Sequence, residues 1–280
     1  MDLAELSLAI RSGAATDIGR VRAHNEDSYL AASPVFLVAD GMGGHTRGDA
    51  ASAETVRHFE ALAGRDWVEA SDLHETMVAA ARAVEALASD GRAPGTTLAG
   101  VGLTLQGGRP YWLAFNIGDS RVYLFRDGRL EQISVDHSRR QELLEQGAAP
   151  ETLTVGRNII TRALGGGQSA LPVMDHWLLP LTGGDRILIC SDGLTSEVDD
   201  DRLRQALAEL DDPLEVARAL VASAVEAGGQ DNVTVVVVVA DSDADPDDVE
   251  DTLTDVLSDF ADHDDDTVKL PGDSTDELKE

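Results

Sequence analysis

Apolar positions along this chain fall into two kinds of run, short stretches of strand length and longer stripes with helical spacing. "GAATDIGRVRAHNEDSYLAA" predicts two short extended segments around a polar turn. Phe36-Leu37-Val38-Ala39 predicts a buried strand that ends at Asp40. Gly41, Gly43 and Gly44 follow, and a turn reaching positive φ is expected there, because glycine takes that conformation without a side-chain clash. Two helices come next: "AASAETVRHFEALA" carries a stripe through Val56 and Phe59, and "DLHETMVAAARAVEALAS" repeats Leu73, Met77, Ala80, Val84 and Leu87 on one face.

From Thr97 to Ser134 four apolar runs, "TLAGVGLTL", "YWLAFNI", "RVYLF" and "LEQIS", are separated by turn signals, which predicts an antiparallel meander. "SRRQELLEQGA" predicts a short helix, and residues 148–167 an irregular, turn-rich stretch. "DRILICSD" predicts a further strand ending in an acid, "DDRLRQALAEL" and "PLEVARALVASAVEAG" a second helix pair, and "NVTVVVVVA" a strand buried on both faces. Strands and helix pairs in this order predict an α+β fold, a sandwich of two antiparallel sheets flanked by helix pairs, and not a doubly wound sheet.

Composition divides the chain. Of its 280 residues 42% are hydrophobic, ample for one core, and residues 1–240 are expected to form a single domain. Residues 241–280 hold 17 acidic residues against Lys269 and Lys279, so half of the formal charge of -30 lies in this tail. So few basic residues argue against nucleic acid as a partner. No run reaches the length needed to span a bilayer and the N-terminus lacks a basic secretory start, so a cytoplasmic protein without membrane attachment is expected. The single cysteine, Cys190, excludes an internal disulfide and a cysteine-rich zinc site, and the apolar "RILIC" places it in the core. A lysine-poor, aspartate-rich surface is also what a high-salt cytoplasm favours.

Four acids share one setting. Asp40 in "VADG", Asp119 in "NIGDS", Asp192 in "ICSDG" and Asp231 in "GGQDN" each stand at the edge of an apolar run with glycine beside or near them. Gathering such carboxylates without cations is prohibitive, since burial and like charge both oppose ionisation. Oxygen ligands without cysteine favour Mg²⁺ or Mn²⁺ over zinc, and two such ions about 3.5 to 4 Å apart clamp a phosphate and acidify a water.

The ordered motifs "RAHNED", "DGMGGH", "GTT", "GDSR", "SDG" and "QDN", between about Ala14 and Ala240, resemble those of metal-dependent protein phosphatases, the protein phosphatase 2C family in its bacterial or archaeal form. The resemblance implies a serine/threonine phosphoprotein phosphatase in which a metal-bridging hydroxide attacks the phosphate directly. It implies two Mn²⁺ or Mg²⁺ ions, a weaker third, and a monomer acting on phosphoserine and phosphothreonine proteins, the substrates of a cognate protein kinase.

Carried over residue by residue, Asp40 matches the carboxylate that bridges two metals, and the Gly41 carbonyl a ligand of the second. Asp192 and Asp231 match the remaining ligands of the first, and Asp119 the main ligand of the third. Glu26 and Asp27 match acids that hold metal-bound waters, Arg22 the arginine that grips the phosphate, and Asn232 a residue that orients its neighbouring ligand. Where eukaryotic-type members carry a histidine two residues after the bridging aspartate, Met42 stands here. His45 is then the candidate for an acid or substrate contact. Ser196 stands where some relatives have an acid, which weakens the expected third site.

Rival chemistries lack their residues. "CSDGLTS" after Cys190 has no phosphate-cradling loop ending in arginine, as a cysteine-dependent phosphatase requires. A phosphoaspartyl enzyme needs a second aspartate where Met42 stands. Two alternatives stay open: a non-catalytic family member that binds phosphoproteins, and a phosphatase dedicated to a sigma-factor regulator. In the tail, Val249, Leu253, Val256, Leu257 and Phe260 share one helical face behind Asp247 and Asp248. They predict a short docking helix, inhibitory if its acids reach the metal site; the same composition also fits a disordered, solubilising tail.

Overall fold

The computed structural model describes residues 8–43, 47–89, 93–149, 159–167 and 171–242. His45 and the tail helix fall outside them. In chain order the elements are β1 (Leu8–Asp17), β2 (Asp27–Ala32), β3 (Val35–Met42), α1 (Gly48–Phe59), α2 (Ala70–Ala86), β4 (Gly95–Thr96), β5 (Leu98–Gln106), β6 (Arg109–Ile117), β7 (Arg121–Arg126) and β8 (Arg129–Gln132). There follow α3 (Arg139–Glu145), β9 (Leu164–Gly165), β10 (Asp175–Pro180), β11 (Arg186–Cys190), α4 (Asp192–Thr195), α5 (Asp200–Glu209), α6 (Pro213–Ala227) and β12 (Val233–Ser242).

Two antiparallel sheets result, one ordered β1-β12-β11-β7-β8, the other β10-β6-β5-β3-β4-β9 with β2 alongside β3. The predicted α+β sandwich is the observed fold. Phe36, Val38, Trp112, Val122, Ile187, Val236 and Val238 fill the space between the sheets. Outside one sheet, Val56, Phe59, Leu73 and Met77 bring α1 and α2 down onto β3, β5 and β6. Outside the other, Leu203, Leu207, Val216 and Leu220 do the same for α5 and α6. The valine run of β12 has an apolar partner on each side: Val233, Val235, Val237 and Val239 face the helices, and Val236, Val238 and Ala240 the opposite sheet. Its last two residues, Asp241 and Ser242, pair with Ala9 and Leu8 of β1, and Asp241 takes Arg11 as an ion-pair partner, so regular structure runs two residues beyond Ala240.

Three sequence expectations are corrected. The four runs between Thr97 and Ser134 form two hairpins in different sheets, β5 with β6 and β7 with β8, and no single meander. The chain changes sheet at Gly118-Asp119-Ser120, where Gly118 has φ +110°. Strand β10, which the sequence pattern did not predict, is an edge strand on β6. Gly41 lies within β3 and not in a positive-φ turn; a Cβ there would stand 2.3 Å from the Gly48 carbonyl oxygen and 2.5 Å from that of Glu26, so close approach of two backbones requires the glycine. Gly43, φ 132°, does need the conformation expected of it.

A buried carboxylate joins the two sheets. Asp185 receives Trp112 Nε1 from β6 at 2.9 Å, both arms of Arg126 from β7 at 2.6 and 2.7 Å, and the Thr182 amide. Asp185 is fully buried, whereas Arg126 keeps 32% exposure and is rehydrated when its partner is lost. Asp185→Ala is therefore expected to cost about 2 kcal/mol, less than a fully buried pair, read as a lowered urea midpoint.

Candidate active site

The backbone of Asp40 is clamped before its side chain is considered. Its amide donates to Thr97 Oγ1 (2.9 Å), and its carbonyl accepts from the Thr97 amide (2.9 Å) and the Thr96 hydroxyl (3.0 Å). The "GTT" motif is thus a fixture for this aspartate. Thr97 Oγ1 also lies 2.7 Å from Ser120 Oγ, which ties Asp40 to the crossing that carries Asp119.

That crossing is held from a second side. Gly118 donates its amide to His137 Nδ1 (3.0 Å) and accepts the His137 amide on its carbonyl (2.8 Å). With Nδ1 accepting, Nε2 carries the proton toward Asp175 Oδ2 at 3.0 Å, and Asp175 also receives Arg162 at 2.7 Å. Burial lowers the His137 pKa, in keeping with a neutral imidazole in this role.

Asp27 stands across the ladder from Asp40 on β2. Ser191 Oγ donates to Asp27 Oδ2 (2.9 Å) while accepting the Thr234 amide (2.9 Å), joining β2, β11 and β12 next to Asp192, the first residue of α4. Asp231, just before β12, accepts its neighbour's amide on Oδ1 (2.8 Å) and Arg22 on Oδ2 (2.6 Å). Asn232 acts differently from the expectation. Its side chain leaves Asp231 alone and pins the loop that bears Arg22, donating to the Ile18 and His24 carbonyls and accepting the Glu26 amide, all within 3.0 Å. The Glu26 carboxylate in turn receives the Gly48 amide at the start of α1.

The structure thus gathers Asp27, Asp40, Asp119, Asp192 and Asp231, with Glu26 nearby and Arg22 exposed at the rim. Their electrostatics follow from crowding. Burial, reinforced by Asp27, Asp192, Asp119 and Asp231, holds the Asp40 carboxyl well above the usual carboxylate range. Burial and Asp192 push Asp119 to about 7, and burial, offset by Thr234 and Ser191, leaves Asp27 at about 6. Asp192 is raised by burial and Asp231. Asp40 is the hub, since all four other carboxylates act on it.

Among the described residues no three Asp, Glu, His or Cys side chains stand as a ready-made ligand set. Asp231 is turned to Arg22 and Asp27 to Ser191. The donor chemistry nevertheless fits divalent cations. Every candidate ligand is an oxygen, the carboxylates repel one another, and Asp27 Oδ1 and Asp119 Oδ1 are buried without a hydrogen-bond partner among the described residues. The quoted motifs contain Thr96, Thr97, Ser120 and Ser191 without giving them a role, and Thr234 and His137 lie outside those motifs. A signal was present: a hydroxyl residue adjoins Asp27, Asp119 and Asp192 in sequence.

A layered α+β sandwich that collects carboxylates beneath an arginine at their rim is the arrangement of the metal-dependent phosphatase class. The chain belongs to the protein phosphatase 2C family, whose model matches residues 20–227. It is 39% identical over 243 residues to the serine/threonine protein phosphatase PstP of Mycobacterium tuberculosis, an alignment covering 84% of this chain and 46% of that protein. The chain thus spans about half the length of that relative. It is 32% identical to the serine/threonine phosphatase stp of Listeria monocytogenes, over 81% of this chain and 94% of the relative. The solved catalytic domain of PstP, in complex with two manganese ions, superposes with a TM-score of 0.73 at 36% identity, covering 84% of this chain and all of that one. No helix among the described residues is long and apolar enough to cross a membrane.

Proposed function

We propose that the protein hydrolyses phosphoserine and phosphothreonine in proteins, as a divalent-cation-dependent phosphatase acting on the substrates of a cognate kinase. The observation that carries this reading is the convergence of Asp27, Asp119, Asp192 and Asp231 on Asp40, with four of these five carboxyls raised by burial and one another, beneath Arg22. Asp40, Asp192 and Asp231 with the Gly41 carbonyl would hold two cations, and Asp119 a third together with Asp192; Glu26 and Asp27 would hold their waters. When bound, such ions supply charge neutralisation and acidify water, both of which phosphate monoester hydrolysis demands. The PstP catalytic domain was solved in complex with two manganese ions, which supports a two-cation site.

This chain's own residues do the rest. Thr96 and Thr97 fix Asp40; Ser120 and His137 fix the Asp119 crossing; Asn232 fixes the loop that presents Arg22. Arg22 grips the phosphate, because a guanidinium fork binds two oxygens at once. The test is Mn²⁺-dependent release of phosphate from a phosphothreonine peptide. The reading fails if neither this peptide nor p-nitrophenyl phosphate is turned over with Mn²⁺ or Mg²⁺.

Arg22→Ala is expected to raise KM for that peptide about tenfold, the scale of a lost charge-assisted contact, with a smaller change in kcat. The same change frees Asp231 of its ion pair, so the Mn²⁺ concentration giving half-maximal activity should not rise. A raised metal requirement with unaltered KM would make Arg22 a structural residue.

A further inference from the structure

A cavity of about 260 Å³ opens beside Asp119 and Asp192, walled by Arg121, Asp136, Ser138 and Arg140. Resting on the phosphatase reading above, we propose that this cavity is a subsite for an anionic side chain next to the phosphoresidue of the substrate, and that Arg140 recognises it.

The charges of the wall separate into those already used and one that is not. Arg121 is committed to Asp136 by three contacts of 2.7 to 3.1 Å and to the Tyr123 hydroxyl at 3.0 Å, so this pair presents little net charge. Asp119 and Asp192 belong to the acid cluster and are side chains that would hold cations. Arg140 remains. Its guanidinium has no hydrogen-bond or ion-pair partner among the described residues. Of the arginines in that condition, Arg20, Arg47, Arg82, Arg109, Arg129 and Arg218 are exposed, and Arg140 alone is half-buried. Its neighbour Arg139 has Glu142 at 2.9 Å, and Arg162 has Asp175.

A half-buried arginine without an ion-pair partner, in a chain with 52 acidic and 22 basic residues, leaves its donors free for an anion supplied from outside. The chain also holds Arg140 in place. Ser138 caps α3 by accepting the Gln141 amide at 3.2 Å and bridges to Ile160. His137, one residue earlier, is bound to Gly118 through both its amide and its ring. The backbone that carries Arg140 is thereby fixed relative to the Asp119 crossing. A guanidinium so placed suits a carboxylate or a second phosphate, which it can bind with two parallel hydrogen bonds.

The test uses the full chain with Mn²⁺ and phosphothreonine peptides that are identical except at the residues flanking the phosphoresidue on either side, where they carry alanine, glutamate, a second phosphothreonine or lysine. The ratios between peptides are read as kcat/KM. They are read independently as Kd for the matching non-hydrolysable phosphonate peptides by calorimetry. The wild type is expected to favour at least one anionic peptide over alanine about tenfold, mainly through KM; which arm wins identifies carboxylate or phosphate as the anion. In Arg140→Ala the ratio should fall to about one, in Arg140→Lys to an intermediate value, and Arg140→Glu should favour the lysine peptide. A wild-type ratio near one, or a preference that survives Arg140→Ala and Arg140→Glu, overturns the proposal. Absence of all turnover would instead overturn the phosphatase reading, and the phosphonate affinities would still decide the subsite.

Discussion

Asp40→Asn is expected to lower Mn²⁺-dependent phosphopeptide hydrolysis by roughly 10³-fold or more, since several kcal/mol of charge stabilisation rest on a properly filled site. The substitution keeps the shape of the side chain and the backbone clamp from Thr96 and Thr97, so the loss reports charge and ligation alone. Asp192→Asn should behave alike. The sign of the stability change sets this apart from simple damage. Asp40 is the carboxylate on which four others act, and its ionised form opposes folding of the metal-free protein. In chelator at pH 7.5, Asp40→Asn should therefore melt at a higher temperature than the wild type while being inactive with Mn²⁺. Cys190→Ala makes the contrast. Its thiol is fully buried against the α5 and α6 side of the sheet and pushed up to about 12 by burial, so it is no nucleophile. That variant should lose about 1 kcal/mol of stability and keep its turnover. Near-normal activity in Asp40→Asn or Asp192→Asn would sink the assignment of these acids to the cations.

Asp40, Asp119, Asp192 and Asp231 were legible in the sequence because each stands at the edge of an apolar run with a glycine beside or near it, a local pattern with a local cause; Glu26 and Asp27 lack that setting and came only from the resemblance. What fixes them was not. Thr96, Thr97, Ser120 and Ser191 stand inside the GTT, GDSR and SDG motifs, but an ordinary strand or turn hydroxyl has the same local setting, and the group each one clamps is distant in the chain. The passage from β6 to β7 was invisible for a related reason. Alternation along a strand is the same whichever sheet the strand joins, and pairing with β11 or β5 is decided by residues distant in the chain. Strand β10 escaped because its pattern is blurred: Trp177 and Leu179 turn to the core while Leu178, also apolar, points outward at 45% exposure. Helix stripes were read more faithfully. Leu73, Met77, Ala80 and Val84 are all buried, since a period of 3.6 leaves little else for such residues to do, whereas Leu87, the fifth of the stripe, follows the last residue of α2 and is half-buried.

Thermal stability should depend on pH and on metal together. Asp27, Asp40, Asp119 and Asp192 all have folded-state pKa values above those of the unfolded chain, where aspartate titrates near 3.9. Below about pH 4 these groups are protonated in both states and cost nothing. As pH rises, the unfolded chain releases its protons first, and the folded protein loses stability until it has passed about 6 for Asp27 and about 7 for Asp119. Divalent cations act in the opposite direction, because they bind the ionised carboxylates and must displace protons to do so. In chelator, the contribution of this cluster should make the melting temperature fall between about pH 5 and pH 7.5. Mn²⁺ at about a hundredfold over its Kd should add about 2.7 kcal/mol at pH 7.5, which for a domain of this size is a rise of roughly 5 to 10 °C. At pH 5.5 the same Mn²⁺ concentration should give less than half that rise. Scanning calorimetry at the two pH values, with and without metal, decides it. Equal shifts at both would mean that cations bind elsewhere than on the raised aspartates. In Asp40→Asn the pH 7.5 shift should shrink along with the activity, linking the stability of this cluster to the ions it is proposed to hold.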